Sequence, residues 1–159
     1  MRKITLTETQ LEAIKDMERN DLFNNLIYVS VDLDEPSKEK LYKAFKNEVL
    51  ARFGENAKMI CHHMTISHVS KINDGIKKWC TEHQDATFTI TATEIGFSDK
   101  ACAVRIKTGL PTTQNYPHVT VAENIDNNGK PVDSNFIQDF VQLPKPIGLC
   151  GKLVFHRSK

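Results

Sequence analysis

Two short segments, His63-Met64-Thr65-Ile66 and His118-Val119-Thr120-Val121, each read histidine, apolar, threonine, apolar. On a β-strand, successive side chains point to opposite faces. His63 and Thr65 then share one face, and Met64 and Ile66 share the other. His118 and Thr120 stand in the same relation to Val119 and Val121. The apolar pairs suit a core; the polar pairs suit a groove. His68 and His156 also carry a serine two residues on, so the bare spacing says little. Only His63 and His118 keep apolar residues in both gaps.

Cleaving a phosphodiester takes a proton from the attacking oxygen and gives one to the leaving oxygen. Histidine titrates near neutral pH, so one neutral imidazole and one imidazolium can divide these tasks. Threonine hydroxyls can donate to the non-bridging oxygens, where charge gathers in the transition state. The scheme requires no metal and no cofactor. Either histidine can be the base or the acid. The competing reading is a pair of ordinary strand histidines.

The surrounding sequence supplies strands for both segments. Residues 25–33 are β-branched and alternating, a strand, and 58–67 form a second strand carrying the first motif. Between them Glu35-Pro36-Ser37 opens a helix. Its buried face is Leu41, Ala44, Phe45, Val49 and Phe53, and Gly54 ends it. A short helix over 75–83 turns Ile76 and Trp79 inward. Residues 87–97 and 101–107 form a hairpin around Ser98-Asp99-Lys100. A loop over 108–117 leads into the second motif strand, 118–122. Asp133 or Ser134 caps a short helix reaching Phe140, and a last strand covers 147–155. At the start, Thr7 or Thr9 caps a helix with Leu11, Ile14, Met17 and Leu22 at helical spacing. This segment, 1–24, reads as an extension of one domain spanning 1–159.

Composition narrows the class. A formal net charge of +1 argues against a broad basic footprint for long duplex nucleic acid, but not against a local phosphate pocket. Cys61, Cys80, Cys102 and Cys150 form no C-x-x-C pair and read as reduced thiols of a cytoplasmic protein. No signal peptide and no membrane span are expected. The oligomeric state is open.

The paired motifs resemble those of the 2H phosphoesterase superfamily. The wider context, Asn115-Tyr116-Pro117 before the second motif and Gly129-Lys130-Pro131-Val132-Asp133-Ser134-Asn135 after it, is most similar to the phosphodiesterase modules of RNA-repair and tRNA-ligase-type proteins. The resemblance covers roughly residues 25–155 in element order, but in residue detail only the motif regions. It implies an α+β, two-lobed, pseudo-symmetric fold, with antiparallel sheets forming a central groove and helices outside. It also implies catalysis by His63, Thr65, His118 and Thr120 on a 2′,3′-cyclic phosphate or a 2′-5′ linkage of a nucleotide or RNA end. The spacing between the motifs is compact for that family, which bears on substrate class more than on reaction type.

Tyr28 reaches the groove from the first strand and stacks on a base, or else packs the core. Ser67 continues the His63–Thr65 face. Asn115 and Tyr116 lie on a loop, where ligand contacts are frequent. Lys152 and Arg105 are strand cations able to meet phosphate, although exposed strands often carry such charges. Ser134-Asn135 reads as a helix start. His62, His63 and His68 invite a zinc reading, but adjacent strand residues point apart, so no metal site is expected. Nothing marks Cys61 as an activated nucleophile. Two alternatives remain: a hydrolase of cyclic di- or oligonucleotide immune signals, of use to a virus, and a module that binds a nucleotide without turning it over.

Overall fold

In the computed structural model, residues 7–11 and 22–158 are described. Seven strands, β1 (Leu26–Leu33), β2 (Lys58–Met59), β3 (His63–His68), β4 (Thr87–Phe97), β5 (Ala101–Lys107), β6 (His118–Glu123) and β7 (Phe140–Arg157), pair antiparallel in the order β2-β6-β3-β1-β7-β4-β5. β5 also pairs with β6, which closes six of the strands into a barrel. Among the described residues, two helices of at least nine residues accompany the strands, α1 (Glu35–Phe53) and α2 (Asp74–Glu82). The architecture is α+β.

β3 pairs extensively with β1, and β6 with β5, whereas β3 and β6 meet only at Met64 and Val119. The two motif strands are therefore neighbours. Antiparallel continuation of that pair sets His63 opposite Thr120 and Thr65 opposite His118. Met64, Ile66, Val119 and Val121 are fully buried behind them. They join one apolar cluster with Leu41, Phe45, Val49 and Phe53 of α1, which packs against both β7 and β6.

α1 begins where the sequence places it. The Asp34 carboxylate accepts from the Ser37 N–H at 2.9 Å, Pro36 occupies the first turn, and Gly54 ends the helix at a φ of 83°. Ser37 fills a buried position in place of Ala44, which is exposed. Its hydroxyl accepts from the Cys150 N–H at 2.8 Å and so ties α1 to β7. The expected hairpin is present. Ser98 Oγ accepts from the N–H groups of Lys100 and Ala101, both at 3.2 Å.

Three expectations are corrected. The strand over 58–67 is broken at residues 60–62, where Cys61 takes a φ of 50°. The β2–β6 and β3–β6 registers differ by two residues across this break, so the segment bulges between them. No helix runs from 133 to Phe140. Pro131–Phe136 is 3-10, and the chain is extended by Phe140. The last strand is far longer than 147–155. It starts at Phe140 and crosses Pro144 and Pro146, which fall in a gap of the β4–β7 register where no ladder N–H is needed.

Of the N-terminal helix, the cap is seen. Thr7 Oγ1 accepts from the Gln10 N–H at 3.1 Å and Gln10 Oε1 from the Thr7 N–H at 3.0 Å, a reciprocal box. The expected Ile14 and Met17 positions lie outside the described residues. Among those described, no helix is long and apolar enough to cross a membrane.

Candidate functional site

His63, Thr65, His118 and Thr120 all line one cavity of about 700 Å³ on the polar side of β3 and β6. His118 sits at the start of β6 opposite Arg105 of β5. Its Nδ1–H donates to the Tyr116 carbonyl at 2.9 Å, which leaves Nε2 without a protein partner among the described residues. Burial lowers its pKa, and the Tyr116 carbonyl works in the opposite sense. Thr120 Oγ1 lies 2.8 Å from the hydroxyl of the fully buried Ser134. The Thr65 carbonyl accepts from Thr112 Oγ1 at 2.8 Å, fixing the centre of β3 to the loop before β6.

His63 is held differently. Its Nδ1 lies 2.9 Å from His62 Nδ1, and its ring packs 5.3 Å from that of Tyr28. Burial, then the neighbouring His62, push its pKa down to about 4; Asp32 opposes them. Tyr28 lines the cavity and stacks on His156 at 4.2 Å. His156 Nε2 in turn lies 3.1 Å from the Asp32 carboxylate and 3.0 Å from Ser30 Oγ.

The lowered His63 pKa has a consequence for stability. The unfolded chain takes up this proton near pH 6.5, the folded chain only near pH 4. Between those values the unfolded state binds more protons, so the contribution is complete above 6.5 and is lost as pH falls toward 4. We expect His63→Asn to flatten this part of the stability curve, which in the parent drops by up to about 3 kcal/mol over the window. Urea midpoints measured from pH 7 to pH 4 check this; an equal decline in both proteins would refute it.

Of the other expected contacts, Tyr28 alone lines the cavity. Ser67 is fully buried, donating to the His68 carbonyl at 2.9 Å and lying 3.0 Å from Thr113 Oγ1. The cause is a bulge: Ser30 faces Thr65 but Val29 faces Ser67, so Ile66 is extra and alternation reverses. His68, and not Ser67, returns to the cavity side. Asn115 donates to the Asn135 carbonyl at 2.8 Å. The Tyr116 hydroxyl donates to the Ser134 carbonyl and accepts from the Ile137 N–H at 3.2 Å. Both residues brace the Pro131–Phe136 segment as a cavity wall. Lys152 is carried by register to the start of β4, where its ammonium meets Asp85 at 3.6 Å, away from the cavity. Arg105 lies 3.7 Å from Glu94 and over the Tyr116 ring.

Sequence reasoning missed Lys58, Lys71 and Lys130, which line the cavity together with the carboxylate of Glu123. It also missed Asn135, whose Oδ1 is buried without a hydrogen-bond partner. Lys130 and Asn135 flank the Pro131 turn close after the second motif, a proximity that was the available signal.

His62 and His63 do not point apart as adjacent strand residues would. His62 lies in the bulge before β3, so strand alternation does not govern it, and its ring turns back to that of His63. Cys61 is buried with its thiol pushed up to about 12, which is unsuited to a nucleophile.

No family model and no curated protein matches this chain. Among solved structures, the fold is similar to that in the crystal structure of a fungal RNA kinase, with a TM-score of 0.50 and 12% identity. The match covers 83% of this chain and 44% of the kinase chain, so this chain spans less than half the length of that neighbour.

Proposed function

We propose that the chain is a 2H-type phosphodiesterase acting on a cyclic phosphate or phosphodiester at a nucleotide or RNA end. The observation that carries the reading is the convergence of both histidine–threonine pairs on one cavity. The meeting of two strand groups at Met64 and Val119 supports the two-lobed arrangement implied by the resemblance. The fold likeness to an RNA kinase is consistent with an RNA substrate. Lys58, Lys71 and Lys130 give the cavity a cationic lining suited to an anionic substrate.

The residues also suggest a division of labour. His63, with its pKa pushed to about 4, stays neutral and takes the proton from an attacking water. Burial lowers the His118 pKa, but the Tyr116 carbonyl on Nδ1 opposes this, and a bound phosphate would favour the protonated form. Its Nε2–H is then the donor to the leaving ribose oxygen. With Ser134 donating to Thr120, the Thr120 hydrogen is free for a non-bridging oxygen, and Thr65 serves the other side. Water adds to phosphorus, the ring P–O bond breaks, and a phosphomonoester leaves.

A panel of 2′,3′-cyclic mononucleotides, 2′-5′ oligoadenylates and 3′,5′-linked cyclic dinucleotides, each with EDTA present, tests this. Turnover of at least one, undiminished by the chelator, is expected. Binding with every ligand recovered intact would favour the binding-module reading, and loss of turnover in EDTA would refute the metal-free scheme.

A further inference from the structure

We propose that Asp32, His62 and His63 form a site for a d-block divalent cation such as Zn²⁺, and that the bound ion inhibits the enzyme. One ligand atom from each residue lies within 4.8 Å of the others, and all three residues are half-buried. Two elements bring them together. Asp32 is the cross-strand neighbour of His63 in the β1–β3 register. The left-handed turn at Cys61 folds His62 back, so that the two imidazole Nδ1 atoms stand 2.9 Å apart.

Two nitrogens at that distance must share a proton or a cation. In the metal-free protein one Nδ1–H donates to the other Nδ1. A divalent ion would take that proton's place: the proton shifts to Nε2 of the same ring, and each neutral imidazole gives its Nδ1 lone pair to the ion. Asp32 supplies the anionic third ligand. Its carboxylate is already oriented from behind by Ser30 Oγ at 2.5 Å and His156 Nε2 at 3.1 Å, the kind of outer support that metal-binding carboxylates use. Two imidazoles, one carboxylate and an open fourth position suit Zn²⁺, whereas Mg²⁺ and Ca²⁺ prefer oxygen ligands.

The inhibitory consequence rests on the function proposed above. A cation on His63 Nδ1 withdraws electron density from the ring and opposes proton uptake at its other nitrogen. It leaves Thr65, His118 and Thr120 in place. Binding of substrate would then survive better than turnover.

Two measurements separate the site from its effect. Titration of the full chain with Co²⁺ alone should produce the visible d–d bands of a nitrogen-ligated ion, saturating near one equivalent. His62→Ala should weaken binding by about 100-fold or more, and His156→Ala by about 10–100-fold through loss of support to Asp32. Asp32→Asn, close to isosteric, guards against a folding defect in either alanine variant. Unchanged Co²⁺ affinity in His62→Ala and Asp32→Asn would overturn the site, whatever the enzyme's activity. Added Zn²⁺ should lower kcat of the parent more than it raises KM, and should leave the residual activity of His62→Ala unaltered. Zn²⁺ that binds the parent but leaves its kcat unchanged, or raises it, would overturn the inhibitory role.

Discussion

Alanine at His118 is expected to lower kcat for phosphodiester cleavage by about 10²–10⁴-fold, the usual share of a positioned proton donor or acceptor. Alanine at His63 should fall in the same range. The double variant should drop little below the worse single one, because the two rings act together in one displacement step and their effects do not add. The folds should survive. His118 contributes one Nδ1–H bond to the Tyr116 carbonyl, and His63 makes its side-chain hydrogen bond to the adjacent His62. A thermal melt confirms this, while the cyclic-nucleotide assay reads kcat and KM separately. The pattern matters as much as the size. A ring that merely helps bind phosphate would raise KM and spare kcat, whereas a proton-transfer group lowers kcat. Parent-like kcat in either folded variant would end the two-histidine mechanism.

Much of the fold and the motif pairs are legible in the sequence because they rest on local rules. Alternation marks β1 and β6, the turn at Ser98-Asp99-Lys100 marks β4 and β5, and Glu35-Pro36-Ser37 and Gly54 bound α1. What sequence alone leaves hidden is non-local. Counting in twos puts Ser67 on the groove face, but a bulge opposite Val29 and Ser30 turns it inside and brings His68 out. The same kind of irregularity at Cys61 turned His62 onto His63. A bulge depends on the partner strand's register, which one strand's residues do not encode. Pro144 and Pro146 disfavour a strand by local rules, yet β7 runs through them because the β4 register skips there. Lys58, Lys71 and Lys130 converge from separate segments, and only closure of the barrel sets them around one cavity. Lys152 shows the converse: a cation on the expected strand whose charge is directed to Asp85.

Met64→Ala should be among the most destabilising single substitutions, costing about 2–5 kcal/mol as expected for truncating a fully buried large side chain. Met64 is 0% exposed and is the residue of β3 that pairs with Val119 of β6. Its loss removes packing behind both motif strands at the one place where they meet. Residual cavity should persist, since the neighbours Ile66, Val119 and Val121 lie on strands tied into the barrel and have little room to collapse. Activity should suffer beyond the loss of folded protein. His63 and Thr65 flank Met64, and His118 and Thr120 flank Val119, so slack at this pair loosens the spacing between the two proton-transfer groups. A misplacement of about 1 Å costs on the order of 100-fold in rate. Val141→Ala is the control: it removes similar chemistry from a side chain that is 67% exposed, and should shift stability by no more than about 0.5 kcal/mol. Urea midpoints at matched m-values, together with kcat measured well below the unfolding temperature, decide the matter. If Met64→Ala melts like the Val141 control, or if it is destabilised yet keeps the parent kcat, the pair does not set the distance across the site.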